Sequence, residues 1–187
     1  MLNNKTIAVV VPTFNESTQI KMVLDSMPDF VDRIIVVDDC SKDDTVSHVQ
    51  EYFDNNSSNI NIPSLFKQDI VSNPYNKADI ELRERAKKEI DFFTPSEVLN
   101  HDDENERIIL IQHKKNGGVG AARATGYKWC KDHNISCSAA MDGDGQMDPS
   151  ELESICSPVI NEGVDYVKGN RLIHESAWVI IPKIRFF

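Results

Sequence analysis

Ala139-Ala140-Met141-Asp142-Gly143-Asp144-Gly145-Gln146-Met147-Asp148-Pro149 is the stretch that decides how this chain is read. An apolar run ends there in three aspartates, with Gly143 between the first two and Gly145 after the second. Carboxylates at the end of a buried strand lose water with no evident partner, which costs free energy. A divalent cation supplies that partner, and a phosphate can share the cation. The stretch therefore predicts a metal-assisted site for a phosphorylated ligand.

Working outward, the chain alternates between two periodicities. Thr6 to Val11 is a β-branched apolar run bounded by Pro12, the pattern of a strand buried on both faces. Ile20, Val23, Leu24 and Met27 then recur at helical spacing and stop at Pro28. Arg33 to Val37 is a second strand, ending in Asp38-Asp39. Ser41 is read as the N-cap of the next helix, with Asp43 and Asp44 in its first turn and Val46, Val49 and Phe53 on its inner face. Arg107 to Gln112 is a third strand, followed by Asn116-Gly117-Gly118-Val119-Gly120 and a small-residue helix to about Asp132. Ser136 to Met141 is a fourth strand. Asp148-Pro149-Ser150-Glu151 opens another helix, with Pro158 expected to kink or shorten it. Val164 to Lys168 is expected as a fifth strand, leading into Gly169-Asn170-Arg171.

Strand and helix alternating in this way predict an α/β domain, a mostly parallel sheet flanked by helices. In such sheets the ligand crevice lies at the carboxyl ends of the strands. Asn15-Glu16, Asp38-Asp39, the glycine run, Asp142-Asp144 and Arg171 all fall at those ends. About residues 54–106 break the alternation. This polar, charged stretch reads as an insertion, with a helix from Lys77 to Phe93 and an acidic run at 102–106.

Composition bounds the function. The chain has 187 residues, the size of one domain, and a formal net charge of −10. That charge argues against a nucleic-acid binder, which needs faces rich in Lys and Arg. Its four cysteines are scattered without a CxxC pair. Cys130, His133 and Cys137 fit no common zinc spacing. The strand-like run from Thr6 gives the expectation of no signal peptide, and no apolar run is long enough to span a bilayer.

Two other readings of the central stretch are weaker. A calcium loop needs glycine at its sixth position, where Met147 stands, and a helix before it. A turn that merely caps the next helix accounts for Asp148 but leaves Asp142 and Asp144 unexplained. The glycine run is neither a P-loop nor a dinucleotide fingerprint, since Arg123 stands where a third glycine belongs. Read alone it is a tight strand-to-helix turn, with Lys114, Lys115 and Arg123 close enough in sequence to attract a diphosphate.

Four segments in order carry a resemblance: Val11 to Glu16, Val36 to Thr45, Asn116 to Arg123 and Met141 to Gln146. Together they resemble the family-2 glycosyltransferases, and in particular the polyprenyl-phosphate sugar synthases related to dolichyl-phosphate mannose synthase. The resemblance covers the chain outside about 54–106 and implies a GT-A domain.

It also implies roles. Asp142, Asp144 and Gln146 match the ligands of a Mg²⁺ or Mn²⁺ ion that holds the donor diphosphate, with Asp144 acting at the reacting centre. Pro12, Phe14 and Glu16 match the segment that lines the base and ribose, and Asp39 with Asp38 would accept hydrogen bonds from the base. Gly118 and Arg123 fall with the donor site. Arg171 matches an arginine that meets phosphate, a task suited to its planar fork.

The implied reaction is inverting transfer of a sugar from a UDP- or GDP-sugar to a polyprenyl phosphate. The acceptor is already an anion and needs no strong base. A polysaccharide, protein or other lipid acceptor is the alternative within the family, and a non-catalytic nucleotide-binding module is the alternative outside it. The apolar tail at 174–187 either packs on the domain or precedes membrane segments that are missing from this chain. The expected location is the cytoplasmic face of a membrane.

Overall fold

The computed structural model describes residues 2–55, 75–100 and 106–170. Its elements are β1 (Ile7–Thr13), α1 (Ile20–Asp25), β2 (Arg33–Asp38), α2 (Thr45–Asn55), α3 (Lys77–Lys88), β3 (Ser96–Val98), β4 (Ile108–His113), α4 (Val119–Asp132), β5 (Cys137–Ala140) and α5 (Leu152–Asn161). Short 3₁₀ turns follow α3 and precede α5. The strands form one sheet in the order β3-β4-β2-β1-β5. All pairings are parallel except β3 with β4. The α/β expectation is met.

Side chains alternate across a strand, so each inner strand feeds two cores. Val9, Val11, Ile34, Val36, Ile108 and Leu110 face α1 and α2, packing with Ile20, Val23, Leu24 and Val49. Their neighbours Ala8, Val10, Ile35, Val37, Ile109 and Ile111 face α4, packing with Ala122, Trp129 and Cys130. Both faces of the sheet are covered, which is why these strands read as unbroken apolar runs.

Several local expectations need correction. Val164 to Lys168 forms no strand. Val164 and Tyr166 are exposed, Val167 is only half-buried, and the segment joins no ladder. Ser41 does not cap α2: its hydroxyl accepts the N–H of Asn15, at 2.9 Å. Asp43 does the capping, taking the Thr45 N–H at 3.1 Å and its hydroxyl at 2.5 Å. Pro158 lies inside α5, which continues to Asn161.

The polar stretch contains the expected helix, α3, and also β3 on the sheet edge. Every residue of β3 is exposed, so no apolar alternation marks it. Leu99 N donates to Leu110 O at 2.8 Å and Lys114 N to Pro95 O at 2.7 Å, which brings this stretch beside the loop after β4. Among the described residues no helix is long and apolar enough to cross a membrane. The tail at 174–187 and the acidic run from 102 to 105 lie outside the described residues.

Candidate active site

The carboxyl ends of β1, β2 and β5 meet the start of α4 at one cleft. Past its last ladder position the β5 chain keeps close to β1, with Met141 N bonded to Val10 O at 3.0 Å and Gly143 N to Pro12 O at 3.3 Å. A Cβ on Gly143 would stand 2.6 Å from the Thr13 methyl, so a side chain there would push the two segments apart. This approach carries Asp142 and Asp144 to the Pro12-Thr13-Phe14 turn.

The loops after β1 and β2 clasp each other. Asn15 N and Oδ1 bond Ser41 Oγ and Lys42 N, at 2.9 and 2.8 Å. Glu16 N donates to Thr45 Oγ1 at 2.9 Å, and Ser17 N donates to Asp43 Oδ2 at 3.1 Å. Glu16 is thereby held half-buried at the cleft wall.

The cleft has a volume of about 290 Å³ and is lined by Pro12, Phe14, Glu16, Asp39, Asp142 and Asp144, with Thr13, Val119, Ala122 and Gly143 completing the wall. Six of the expected site residues are thus brought together. Gly118 and Arg123 flank them. Gly118 N donates to Asp39 Oδ2 at 2.7 Å, and Arg123 Nη2 donates to Asp142 Oδ1 at 2.5 Å. Burial first, then the nearby charges of Asp144 and Asp43, hold the Glu16 carboxyl above the usual range. Acidic groups are crowded here.

Other expectations stand differently. Asp38 is fully buried behind the cleft, with Oδ2 taking the Ser41 N–H at 3.1 Å and the Gln112 amide at 3.2 Å. Its Oδ1 has no hydrogen-bond partner among the described residues. Asp39 reaches the cleft, yet both its oxygens already bond donors of the chain.

Gln146 is not among the residues that line the cleft of Asp142 and Asp144. The chain passes Gly145 at φ +71°, and the exposed Gln146 side chain lines a neighbouring cleft of about 320 Å³ with Met22 and Met147. What Gln146 gives Asp144 is its backbone N–H, at 3.0 Å. Arg171 lies outside the described residues. Asp148 caps the following turn through Ser150 N at 2.9 Å.

His113 was missed by the sequence reading. It is buried at the end of β4, with Nδ1 2.7 Å from Asp39 Oδ1 and Nε2 2.9 Å from Thr125 Oγ1. An ionised Asp39 can only accept, so Nδ1–H donates. Burial pushes the Asp39 carboxyl up, but the Gly117 N–H, His113 and the Gly118 N–H outweigh it and hold it below the ordinary range. The available signal was a histidine ending a buried strand, level with Asp38-Asp39.

Among the described residues no three His, Cys, Asp or Glu side chains converge on a point that could hold a metal ion. Asp142 and Asp144 share the cleft as a pair. Two carboxylates suit Mg²⁺ or Mn²⁺ bound jointly with waters and a substrate diphosphate, rather than an ion caged by protein alone. The residues present therefore fit such an ion.

Comparison with known proteins agrees with this geometry. The family model described as Glycosyl transferase family 2 matches residues 8–67 and 93–186. The chain is 27% identical over 181 residues to a UDP-N-acetylglucosamine–dolichyl-phosphate N-acetylglucosaminyltransferase of Methanococcus voltae, covering 96% of this chain and 57% of that protein. It is 30% identical over 80 residues to an uncharacterized protein of Methanocaldococcus jannaschii, covering 43% of this chain and 33% of that one. A solved structure of S. aureus TarS, residues 1–349, in complex with UDP aligns at TM-score 0.44 and 19% identity, over 82% of this chain and 32% of that chain. The chain thus spans a little over half, or less, of the length of the curated relatives it matches. The mostly parallel sheet with flanking helices is the α/β arrangement that the alternating elements imply. The family match extends over both halves of the sheet and every motif of the cleft, and the chain belongs to glycosyl transferase family 2.

Proposed function

We propose that the cleft binds a nucleotide-sugar donor, with UDP the favoured nucleotide, and that the protein transfers its sugar to a polyprenyl phosphate. The observation that carries this is the meeting of Phe14, Glu16, Asp142 and Asp144 in one cleft at the carboxyl edge of a parallel sheet. Ligands of such sheets bind at that edge. Phe14 offers an exposed ring beside Pro12 for the base. Glu16 is placed for the ribose, and Asp142 with Asp144 face the diphosphate.

Asp142 and Asp144 would hold a Mg²⁺ or Mn²⁺ ion, which supplies countercharge to the departing nucleoside diphosphate. Holding the diphosphate there leaves the opposite face of the sugar open. A phosphate oxygen of the acceptor then attacks the anomeric carbon as the bond to the diphosphate breaks, inverting that centre. The acceptor is an anion, so no side chain has to remove a proton from it. The activity that names the M. voltae relative supports both the UDP donor and the polyprenyl-phosphate acceptor. A lipid acceptor of this kind places the reaction at a membrane surface, on its cytoplasmic face.

Calorimetry tests the donor site. UDP and UDP-sugars should bind more tightly with Mn²⁺ than without it, and Asp144→Asn should abolish the difference. Equal affinity with and without the ion in the parent protein would remove the metal from this reading. Incubation with vesicles that carry a polyprenyl phosphate tests the acceptor: no sugar transfer to lipid by the full-length protein would exclude it.

A further inference from the structure

We propose that Arg123 is a stand-in cation for Asp142. It holds that carboxylate while the cleft is without its ion, and releases it when a divalent cation and a nucleoside diphosphate arrive together. The guanidinium then turns to the phosphates. This rests on the donor-site reading above and adds a role for a residue of α4.

The contact itself is the first ground. Arg123 Nη2 lies 2.5 Å from Asp142 Oδ1, with the two side chains 38% and 33% exposed. Asp142 and Asp144 line the same cleft, so the carboxylate that faces a metal is the one already holding a cation. A divalent ion that takes Asp142 Oδ1 must displace this charge-assisted bond.

The second ground is what Arg123 leaves unused. Arginine and carboxylate usually meet through two parallel N–H···O bonds. The bond between Arg123 and Asp142 is one-pronged, and Arg123 Nε is buried without a hydrogen-bond partner among the described residues. A buried N–H without a partner is unfavourable, and a permanent structural pair would be expected to satisfy it. An anion with several oxygens answers both needs, because it can take Nε together with the freed Nη2. A diphosphate has that chemistry, and the same cleft wall is where it would lie.

Two consequences separate this arrangement from an ordinary ion pair. A metal ion alone competes with Arg123 for Asp142 and binds weakly. The metal and the nucleotide together bind with positive coupling, since each removes the other's obstacle.

The test is titration of Mn²⁺ alone, of UDP and GDP alone, and of each nucleotide with Mn²⁺, on the parent protein, Arg123→Gln and Arg123→Lys, with thermal unfolding as the check on folding. Arg123→Gln should bind Mn²⁺ alone about two- to fivefold more tightly, the range open to an ion pair at this exposure. The factor by which Mn²⁺ tightens nucleotide binding should fall. Arg123→Lys should leave Mn²⁺ affinity near the parent's and still lose coupling, because an ammonium replaces the charge but not the fork. A merely structural role would lower metal affinity in Arg123→Gln. Unchanged or weaker Mn²⁺ binding there, with metal-dependent nucleotide binding intact in the parent, overturns the exchange and leaves the donor site standing. If Arg123→Gln does not fold, unreduced coupling in Arg123→Lys overturns it. No effect of Mn²⁺ on nucleotide binding in any of the three proteins overturns the metal site and the exchange with it.

Discussion

The carboxylate of Asp39 accepts the N–H of Gly118 at 2.7 Å, tying the end of β2 to the start of α4 across 79 residues of chain. Its other oxygen takes the Gly117 N–H at 2.8 Å and faces His113 Nδ1 at 2.7 Å. Asp39 therefore acts as an internal anion that shapes the glycine loop. That loop starts the helix that presents Arg123.

Asp39→Asn should cost about 2–4 kcal/mol of stability, since it removes charge-assisted bonds at a buried position and turns an amide N–H toward a backbone donor. Urea unfolding reads this as a lower midpoint at unchanged slope. A loss below about 0.5 kcal/mol would mean that the loop holds its shape without Asp39.

Asp43 predicts a pH dependence. Burial raises its pKa, but hydrogen bonds from Thr45 and Ser17 prevail and bring it from 3.8 down to about 2. A carboxylate with a depressed folded-state pKa stabilises the fold above its unfolded pKa, and that contribution is lost as pH falls through the folded value. The difference in stability between the parent and Asp43→Asn should therefore be full above about pH 5 and shrink between about pH 4 and pH 2. A difference that stays constant over that window would contradict the assignment.

The acidic crowd at the cleft should be costly to the fold. Glu16 is raised by burial and by Asp144 and Asp43, so its contribution to stability is greatest at low pH and lost as pH rises through its folded pKa. Solvent screens much of this, so Glu16→Gln should stabilise the protein at neutral pH by only a few tenths of a kcal/mol. The same change should weaken nucleotide binding. Thermal unfolding and calorimetry on one preparation check both signs, and a destabilised variant would refute the first.

Close packing of α4 on the sheet offers a further test. A Cβ on Gly126 would lie 2.3 Å from Val10 Cγ1. Gly126→Ala should thus cost about 1–3 kcal/mol by overpacking, despite the better helix propensity of alanine. Val10→Ala opens that space, so the double variant should be more stable than the sum of the single losses predicts, by at least about 0.5 kcal/mol. Strict additivity would show that the helix shifts instead.

Legibility in the sequence followed the range of the interactions. Val9, Val10 and Val11 announce a strand buried on both faces, because each side chain must be covered whatever the partner. Ala122, Thr125, Gly126, Trp129 and Cys130 mark the inner face of α4 by spacing alone. Ser96-Glu97-Val98 left no such mark, since an exposed edge strand is made by its partner's free N–H and C=O groups. Val164-Asp165-Tyr166-Val167-Lys168 shows the reverse: β propensity without a neighbouring strand makes no strand.

Taken alone, the sequence determined the alternating α/β order, the two-sided cores and the arrival of Asp142-Gly143-Asp144 at a strand end. Those depend on local periodicity and on the cost of placing carboxylates beside apolar runs. The tertiary structure decided how the polar groups are shared: Asp39 kept for the Gly117-Gly118 loop and His113, Asp38 withdrawn behind the cleft, Gln146 lining the next one, and Arg123 set against Asp142. Those partners lie up to 79 residues apart in sequence and are joined by the order in which the strands pair. A carboxylate's partner depends on which donors the fold brings within about 3 Å, and no local pattern encodes that distance.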